Sequence, residues 1–252
     1  MLRSLRDLVG YAVEGIDGSI GRVRDALFDE ERWAVRYLVV DTGGWLSRHE
    51  VLISPMAVER MDWATWTVHL RLARAQVEQS PELGSQQPFT RHQELEYAGY
   101  YGFPAYWGGP ALWGMALTPA ALAQENAAIA GPGETEQRPG ERNLQSTREV
   151  LGYRIAASDG EIGHVEDFIV EDDSWAIRYV VVDTRNWLPG RKVLVAIDWV
   201  REVRWSEAAA VIDLSREAIE GSPEFDPAAP VNREFEARLY DYYGRPQYWR
   251  KR

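Results

Sequence analysis

Histidines and acidic turns are the residues of this sequence whose types could bind a metal or exchange protons. The histidines are His49, His69, His92 and His164. A metal site needs several ligands that converge at bonding distance, and these histidines are scattered along the chain. The acidic runs at 29–31 and 171–173 lack the ligand spacing of a calcium-binding loop. We therefore expect no metal site and interpret both runs as the solvated tips of hairpins.

Two Gly-x-x-Gly stretches, residues 18–21 and 160–163, match the pattern of a nucleic-acid clamp. Each follows an aspartate in a predicted hairpin, and a tight turn before a strand explains them more simply. The sequence contains no Ser-His-Asp spacing, no phosphate-binding loop and no dinucleotide fingerprint. We therefore assign no catalytic and no cofactor-binding residue, and we expect that the protein is not an enzyme.

Charge and composition restrict the partners and the location of the chain. The 252 residues carry a net charge of −11, which repels a phosphate backbone and argues against a nucleic-acid partner. The sequence has no cysteine, so disulfides and thiolate metal sites are excluded. It shows neither an apolar run of about 18 residues nor an N-terminal secretory signal. We therefore expect no transmembrane segment and a cytoplasmic location.

A gapless internal repeat dominates the sequence. An offset of 142 aligns residues 10–107 with 152–249, and 37 of the 98 aligned positions are identical. Matching over a whole domain length indicates a duplication. We therefore predict one barrel repeat with a tail at 1–107, an Ala/Gly/Pro-rich linker at 108–147 and a second repeat at 148–252.

Each copy has the pattern of a small all-β domain that is followed by helices. Asp17-Gly18 is a strong hairpin signal, and residues 20–28 and 33–41 alternate or run apolar as strands do. Shorter strands follow near 51–53, 58–61 and 68–72. Residues 73–79 favour a helix, and Thr90 with Gln93 forms a capping box for another. We predict a mainly β fold of two tandem barrels, each followed by short helices and an aromatic tail.

Two ion pairs are predicted inside the repeated hairpins. Asp25 and Arg36 recur as Asp167 and Arg178. If the acidic turn is centred on residues 30 and 31, residues 25 and 36 lie directly opposite each other. We therefore predict a structural ion pair in each copy.

Large apolar residues recur outside the predicted strands. They comprise the loop pairs Trp45, Leu46, Trp187 and Leu188, and the tail aromatics Tyr101, Tyr106, Trp107, Tyr243, Tyr248 and Trp249. Exposing such side chains to water is unfavourable, and Tyr and Trp are well suited to interfaces. Two interpretations stay open: either these residues cover their own barrel, or they form an interface with the other barrel or with a partner.

The pattern "DG.IG.V.D" followed by "W.IRYVVVDT..WLPGRKVL" in the second copy resembles the PRC-barrel family. That family includes the cytoplasmic domain of the photosynthetic reaction-centre H subunit and the C-terminal domain of the ribosome maturation factor RimM. The resemblance covers about residues 5–80 and 147–222. The first copy departs from it with "WLSRHEVL". The resemblance implies a barrel that docks onto other proteins, without a shared catalytic motif.

The sequence therefore predicts a non-enzymatic protein-interaction or assembly module. Its partner would be another protein, and a contact between the barrels within one chain and a homodimer are both left open. The alternative is a small-ligand-binding or electron-transfer-complex-associated protein similar to the reaction-centre H subunit. A large apolar patch would favour the first function, and a polar-lined pocket would favour the second.

Overall fold

The computed structural model describes residues 1–44, 46, 50–81, 90–124, 144–184 and 191–250. The elements before the linker are β1 (Leu2–Ser4), α1 (Leu5–Leu8), β2 (Ala12–Gly15), β3 (Gly18–Asp29), β4 (Ala34–Asp41), β5 (Glu50–Ile53), β6 (Val58–Asp62), β7 (Thr67–Leu70), α2 (Arg74–Glu78), α3 (Arg91–Tyr101) and α4 (Pro119–Gln124). Those after it are β8 (Leu144–Ser146), α5 (Thr147–Val150), β9 (Arg154–Ala157), β10 (Gly160–Glu171), β11 (Ile177–Asp183), β12 (Lys192–Ala196), β13 (Val200–Arg204), β14 (Ala209–Ile212), α6 (Arg216–Glu220) and α7 (Arg233–Tyr243).

The N-terminal unit, as we name it, consists of Asp7–Arg148 and Asp173–Ala176. Its seven-stranded sheet has the order β5-β4-β3-β2-β7-β6, with β8 paired to β3. The pairing of β2 with β7 is parallel. The sheet covers a core to which Tyr37, Leu52, Tyr97 and Leu144 contribute.

The C-terminal unit consists of Met1–Arg6, Glu149–Asp172 and Ile177–Arg252. Its sheet repeats the same order as β12-β11-β10-β9-β14-β13, with β1 paired to β10. The parallel pairing recurs between β14 and β9. The prediction of a mainly β fold that is built twice is confirmed.

Each unit contains a short segment that precedes the other copy in the sequence. Strand β1 pairs antiparallel with β10, and β8 pairs antiparallel with β3. The compact units therefore differ from the predicted domain boundaries at 107 and 148. The predicted linker also contributes structure to the N-terminal unit, through α4 and β8.

The hairpin that opens each copy also fixes the helix that follows the barrel. Gly15 pairs with Gly18, so Ile16 and Asp17 form the loop. Asp17 Oδ1 accepts a 2.8 Å hydrogen bond from the backbone nitrogen of Arg74, at the start of α2. Asp159 repeats this contact with Arg216 in the second copy. The aspartate of the turn signal therefore also caps a helix.

The second hairpin is irregular in both copies. Strand β3 has register shifts between Val23 and Asp25 and between Leu27 and Phe28. Trp33 has a φ of 51°, so this residue closes the turn and β4 begins one residue later than predicted. None of the helices in the described ranges is long and apolar enough to cross a membrane.

Candidate interaction site

A buried carboxylate joins the tail of the first copy to its barrel. Glu94 on α3 accepts hydrogen bonds from Tyr37 OH on β4 at 3.3 Å and from Tyr106 OH in the tail at 2.6 Å. Arg91 Nη1 lies 3.2 Å from the other carboxylate oxygen. We call Tyr37, Arg91, Glu94 and Tyr106 the N-terminal tail cluster. It binds the aromatic tail to the sheet of its own unit.

Local sequence signals place these groups. Helix α3 begins after Thr90, whose hydroxyl accepts from Gln93 N, while Gln93 Oε1 accepts from Thr90 N. This is the predicted capping box. The helix ends at Gly102, which has a φ of 69°. The left-handed residue reverses the chain, so Tyr106 returns to the helix.

The second copy repeats the cluster with the same residue types. Glu236 on α7 accepts hydrogen bonds from Tyr179 OH at 2.7 Å and from Tyr248 OH at 2.9 Å. Arg233 Nη1 lies 3.0 Å from Glu236 Oε2. We call these four residues the C-terminal tail cluster. Its repetition indicates that binding of the tail belongs to the duplicated domain.

Burial shifts the pKa values of the N-terminal tail cluster. Burial raises the pKa of Glu94 above its ordinary value. The pKa values of Tyr37 and Tyr106 are raised well above 10, mainly by burial and then by the neighbouring carboxylate of Glu94. The phenol protons therefore stay in place at neutral pH. Glu94 and Glu236 are both buried, and each holds two tyrosine hydroxyls.

The predicted pairs Asp25–Arg36 and Asp167–Arg178 are wrong in register. Asp25 lies opposite Val39, and Asp167 lies opposite Val181. Asp29 pairs with Ala34, so the turn is centred between residues 31 and 32 and not between 30 and 31. A register shift in each strand moves the aspartate one position further from the arginine.

Each arginine instead reaches the acidic residue at the end of the preceding strand. Arg36 Nη2 lies 3.1 Å from Asp29 Oδ2, and Arg178 Nη2 lies 2.6 Å from Glu171 Oε2. The acidic runs that the sequence suggested as hairpin tips therefore supply the partners of these arginines.

Asp25 and Asp167 instead bind the two short segments that precede the other copy in the sequence. We call these segments, which contain β8 and β1, the exchanged segments. Asp25 accepts hydrogen bonds from Ser146 Oγ at 2.5 Å, from Thr147 Oγ1 at 2.7 Å and from the backbone nitrogen of Arg148 at 3.1 Å. The carboxylate thus satisfies donors at the start of α5, as a helix N-cap does.

Asp167 makes the equivalent contacts in the C-terminal unit. It accepts hydrogen bonds from Ser4 Oγ and from the backbone nitrogen of Arg6. The aspartates are identical between the copies because both accept an exchanged segment.

The predicted interface residues fall into two groups. Trp45, Trp187 and Leu188 lie outside the described residues. Leu46 is buried. The tail aromatics Tyr101, Tyr106, Trp107, Tyr243, Tyr248 and Trp249 are buried or half-buried. Tyr106 and Tyr248 belong to the tail clusters, so the tails contact the barrels of their own units.

Sequence reasoning missed the charged members of the tail clusters. Arg91 matches Arg233 and Glu94 matches Glu236 across the repeat. These identities lie in helices whose other residues mostly differ, and that contrast was the available signal. Within the described ranges, no group of three or more His, Asp or Glu side chains could hold a metal ion.

The two sheets, their exchanged strands and their tails define a class of tandem β-barrel protein. A family model described as "PRC-barrel domain" matches residues 2–70 and 145–219, together more than half of the chain. The chain belongs to the PRC-barrel family. The resemblance inferred from the residues is confirmed, and the matched ranges include β1 and β8.

A relative from Deinococcus radiodurans, described as an uncharacterized protein, is 47% identical over 60 residues. The matched stretch covers 23% of this chain and 22% of that protein. The similarity therefore supports a shared domain, and it brings no activity or partner with it.

Proposed function

We propose that this protein is a non-catalytic assembly module whose two PRC barrels present surfaces for another polypeptide. Family membership supports a module of this kind. The buried carboxylates of the tail clusters support it as well, because they serve to bind the tails.

The observation that carries the proposal is the exposed indole of Trp66. Its side chain lies in the turn between β6 and β7 and is 61% exposed. Its backbone adopts a φ of 58°, which is unfavourable for a residue with a large side chain. The second copy has Ala208 at this position, with a φ of 48°. The backbone conformation therefore does not require a tryptophan, and an exposed tryptophan is a common anchor at interfaces.

Trp66 packs beside other aromatic rings. Its ring lies 5.4 Å from that of the buried Tyr11, and the half-buried Trp63 ring lies 5.8 Å from the same tyrosine. We call Trp63 and Trp66 the indole patch. It has the composition of a protein-binding surface, with aromatic side chains that lose little conformational freedom on binding.

The test compares proteins captured from the native cell by the full chain and by a Trp66→Ala variant. Alanine is chosen because Ala208 occupies the same conformation. The matched control is Ile16→Ala, which removes another exposed apolar side chain from a hairpin turn. We expect at least one protein to be captured by the wild type and the control, and to be lost with Trp66→Ala. Equal capture by all three chains, with quantitative mass spectrometry as the readout, would contradict the proposal.

The ligand-binding alternative is tested with the same material. Native mass spectrometry of the purified full chain would detect a small molecule that stays bound in a stoichiometric amount. Such a ligand, together with capture that does not depend on Trp66, would replace the assembly function with the alternative. No contact among the described residues favours that outcome, so the assembly function is the one that we propose.

A further inference from the structure

The two copies differ around one matched arginine. Arg36 and Arg178 occupy equivalent positions, and each stacks on the equivalent tail tyrosine, Tyr106 or Tyr248. The side chain of Arg36 is 0% exposed, whereas that of Arg178 is 29% exposed. The difference shows that Arg36 is covered by something that Arg178 lacks in the described structure.

The cover over Arg36 is Trp113. The Arg36 guanidinium carbon lies 4.1 Å from the ring centroid of Tyr106 and 4.6 Å from that of Trp113. The cation therefore contacts both rings, which pack edge-to-face against each other with their centroids 6.2 Å apart. Trp113 is fully buried, and its Nε1 donates a 2.7 Å hydrogen bond to the carbonyl of Ser174. This arrangement uses both the face and the N–H of the indole.

A short turn presents this indole to the N-terminal unit. Arg32 donates hydrogen bonds to the carbonyls of Ala111 and Gly109. Gly114 follows the tryptophan with a φ of 64°, and a Cβ at this position would meet the carbonyl oxygen of Ala105 at 3.0 Å. The segment therefore recognises the barrel through one tryptophan and main-chain carbonyls, and glycine lets it turn closely.

The C-terminal unit contains the same receptor, and among its described residues no indole is recorded over the arginine. The Arg178 guanidinium carbon lies 4.4 Å from the Tyr248 ring centroid, and Glu171 holds Nη2 at 2.6 Å. The buried Nε of Arg178 has no hydrogen-bond partner in the part of the chain that the structure describes. We call Arg178, Glu171 and Tyr248 the Arg178 shelf. Its cation is oriented by the carboxylate and the tyrosine, and part of its side chain faces solvent.

We propose that the Arg178 shelf is a docking site for a tryptophan of a partner polypeptide. The indole stacks on the guanidinium of Arg178, as Trp113 stacks on Arg36. Tryptophan is the best cation–π partner among the aromatic residues, and the planar guanidinium suits stacking better than an ammonium does. The occupied site in the N-terminal unit provides the template for the occupant: an indole in a Gly-rich turn with open main-chain carbonyls.

This inference rests on the proposed assembly function, but it concerns a different surface from the indole patch. The two can therefore fail separately. Loss of capture on Trp66→Ala tests the function, whereas the experiment below tests the shelf. If the chain captures a partner through Trp66 but binds no tryptophan at Arg178, the proposed function stands and the inference about the Arg178 shelf is refuted.

The probe is a labelled peptide with the sequence of residues 108–118, Gly-Gly-Pro-Ala-Leu-Trp-Gly-Met-Ala-Leu-Thr. It is titrated into the full chain, and fluorescence anisotropy reports binding. We expect one peptide per chain and a dissociation constant that Arg178→Lys weakens by about tenfold, because lysine keeps the pair with Glu171 and loses the planar stack. Arg178→Ala should weaken binding at least as much. Arg201→Ala, at an exposed arginine on β13, is the matched control and should have no effect.

The peptide with Ala in place of its tryptophan is the second control, and it should not bind. Far-ultraviolet circular dichroism establishes that Arg178→Lys is folded. Binding of the alanine peptide, or equal binding of the original peptide to wild type and Arg178→Lys, would overturn the proposal. Failure to bind at the highest soluble peptide concentration would do the same. Self-association in sedimentation that Arg178→Lys abolishes would assign the shelf to a second copy of this chain instead.

Discussion

The ammonium of Lys192 lies 2.6 Å from Glu166 Oε1, and the first copy has the same ion pair with the charges reversed. There Arg24 occupies the position of Glu166, and Glu50 occupies that of Lys192, with 3.7 Å between their charged atoms. The two positions have therefore diverged together, and each copy keeps an attraction between β3 and β5 or between β10 and β12. Position-by-position comparison shows two mismatches, whereas the structure shows one retained interaction.

The reversed pair can be tested by exchanging its charges. Lys192→Glu places two carboxylates in contact and should lower the free energy of unfolding by about 1 kcal/mol, because the pair is partly exposed. Adding Glu166→Arg should recover part of this loss. The recovery is incomplete since Arg6 also contacts Glu166, at 3.3 Å. Urea unfolding of both single variants and the double variant gives the coupling energy. Strict additivity of the two changes would show that the pair contributes nothing.

We expect Asp25 to hold the exchanged strand β8 in the N-terminal unit. Asp25→Ala leaves the hydroxyls of Ser146 and Thr147 and the amide of Arg148 without their acceptor, and should cost about 3 kcal/mol. The amide of Arg148 should exchange with deuterium faster in this variant. Glu59→Ala, at an exposed position of β6, is the control. Unchanged exchange at Arg148 would contradict this role.

The buried carboxyl of Glu94 should make stability depend on pH. Its pKa is raised by burial above the ordinary 4.5, so the folded chain binds this proton more tightly than the unfolded chain. That stabilisation is present below the ordinary pKa and is lost as the pH rises through the raised pKa. The stability difference between wild type and the always-neutral Glu94→Gln should therefore fall as the pH rises above 4.5 and through the raised pKa.

Thermal or urea unfolding across this pH range measures the effect. Glu59→Gln, at an exposed strand position, is the matched control, and its difference from wild type should change much less with pH. A difference for Glu94→Gln that rises with pH would show that the pKa of Glu94 is lowered instead.

Trp113 should contribute through both its ring and its N–H. Trp113→Ala removes a fully buried indole and should cost about 4 kcal/mol. Trp113→Phe keeps an aromatic face over Arg36 and leaves the Ser174 carbonyl without its donor, so a loss of about 1–2 kcal/mol is expected. Equal losses in urea unfolding would mean that the hydrogen bond, and not the stacking, accounts for the contribution of this residue.

The local elements could be predicted because their signals are local. The Asp-Gly turn, the alternating strands and the capping box at Thr90 each depend on residues that are close in sequence. The register of the second hairpin could not be predicted in the same way. Asp29 pairs with Ala34 across a turn at residues 30–33, and β3 has two register shifts. The positive φ of Trp33 ends the turn. Counting from the centre of the acidic turn therefore paired the wrong residues.

The buried face of helix α7 is not a purely apolar stripe. Leu239 is buried, but Tyr242 is exposed, and the buried face includes Glu236 and Tyr240. A pattern of apolar residues cannot place a buried carboxylate, because its burial depends on donors from distant parts of the chain. The donors here are Tyr179 and Tyr248.

The strand exchange could not be inferred from the sequence for a different reason. Leu2 matches Leu144, Ser4 matches Ser146, and the accepting Asp25 matches Asp167. Either segment would satisfy either barrel with nearly the same contacts. Duplication therefore removes the information about which copy a segment joins, and only the three-dimensional structure supplies it.

The exchange also sets the order in which the chain can mature on the ribosome. Ser4 donates a hydrogen bond to Asp167, which lies 163 residues later in the sequence. Asp25 accepts one from Ser146, which lies 121 residues later. Neither sheet can be completed until a large part of the second copy or its preceding segment has been translated. Contacts of such long sequence separation are slow to form, so nascent chains expose the unpaired edges of β1 and β3 until β10 and β8 have been translated. During synthesis, those edges are the places at which a chaperone or a neighbouring nascent chain would bind first.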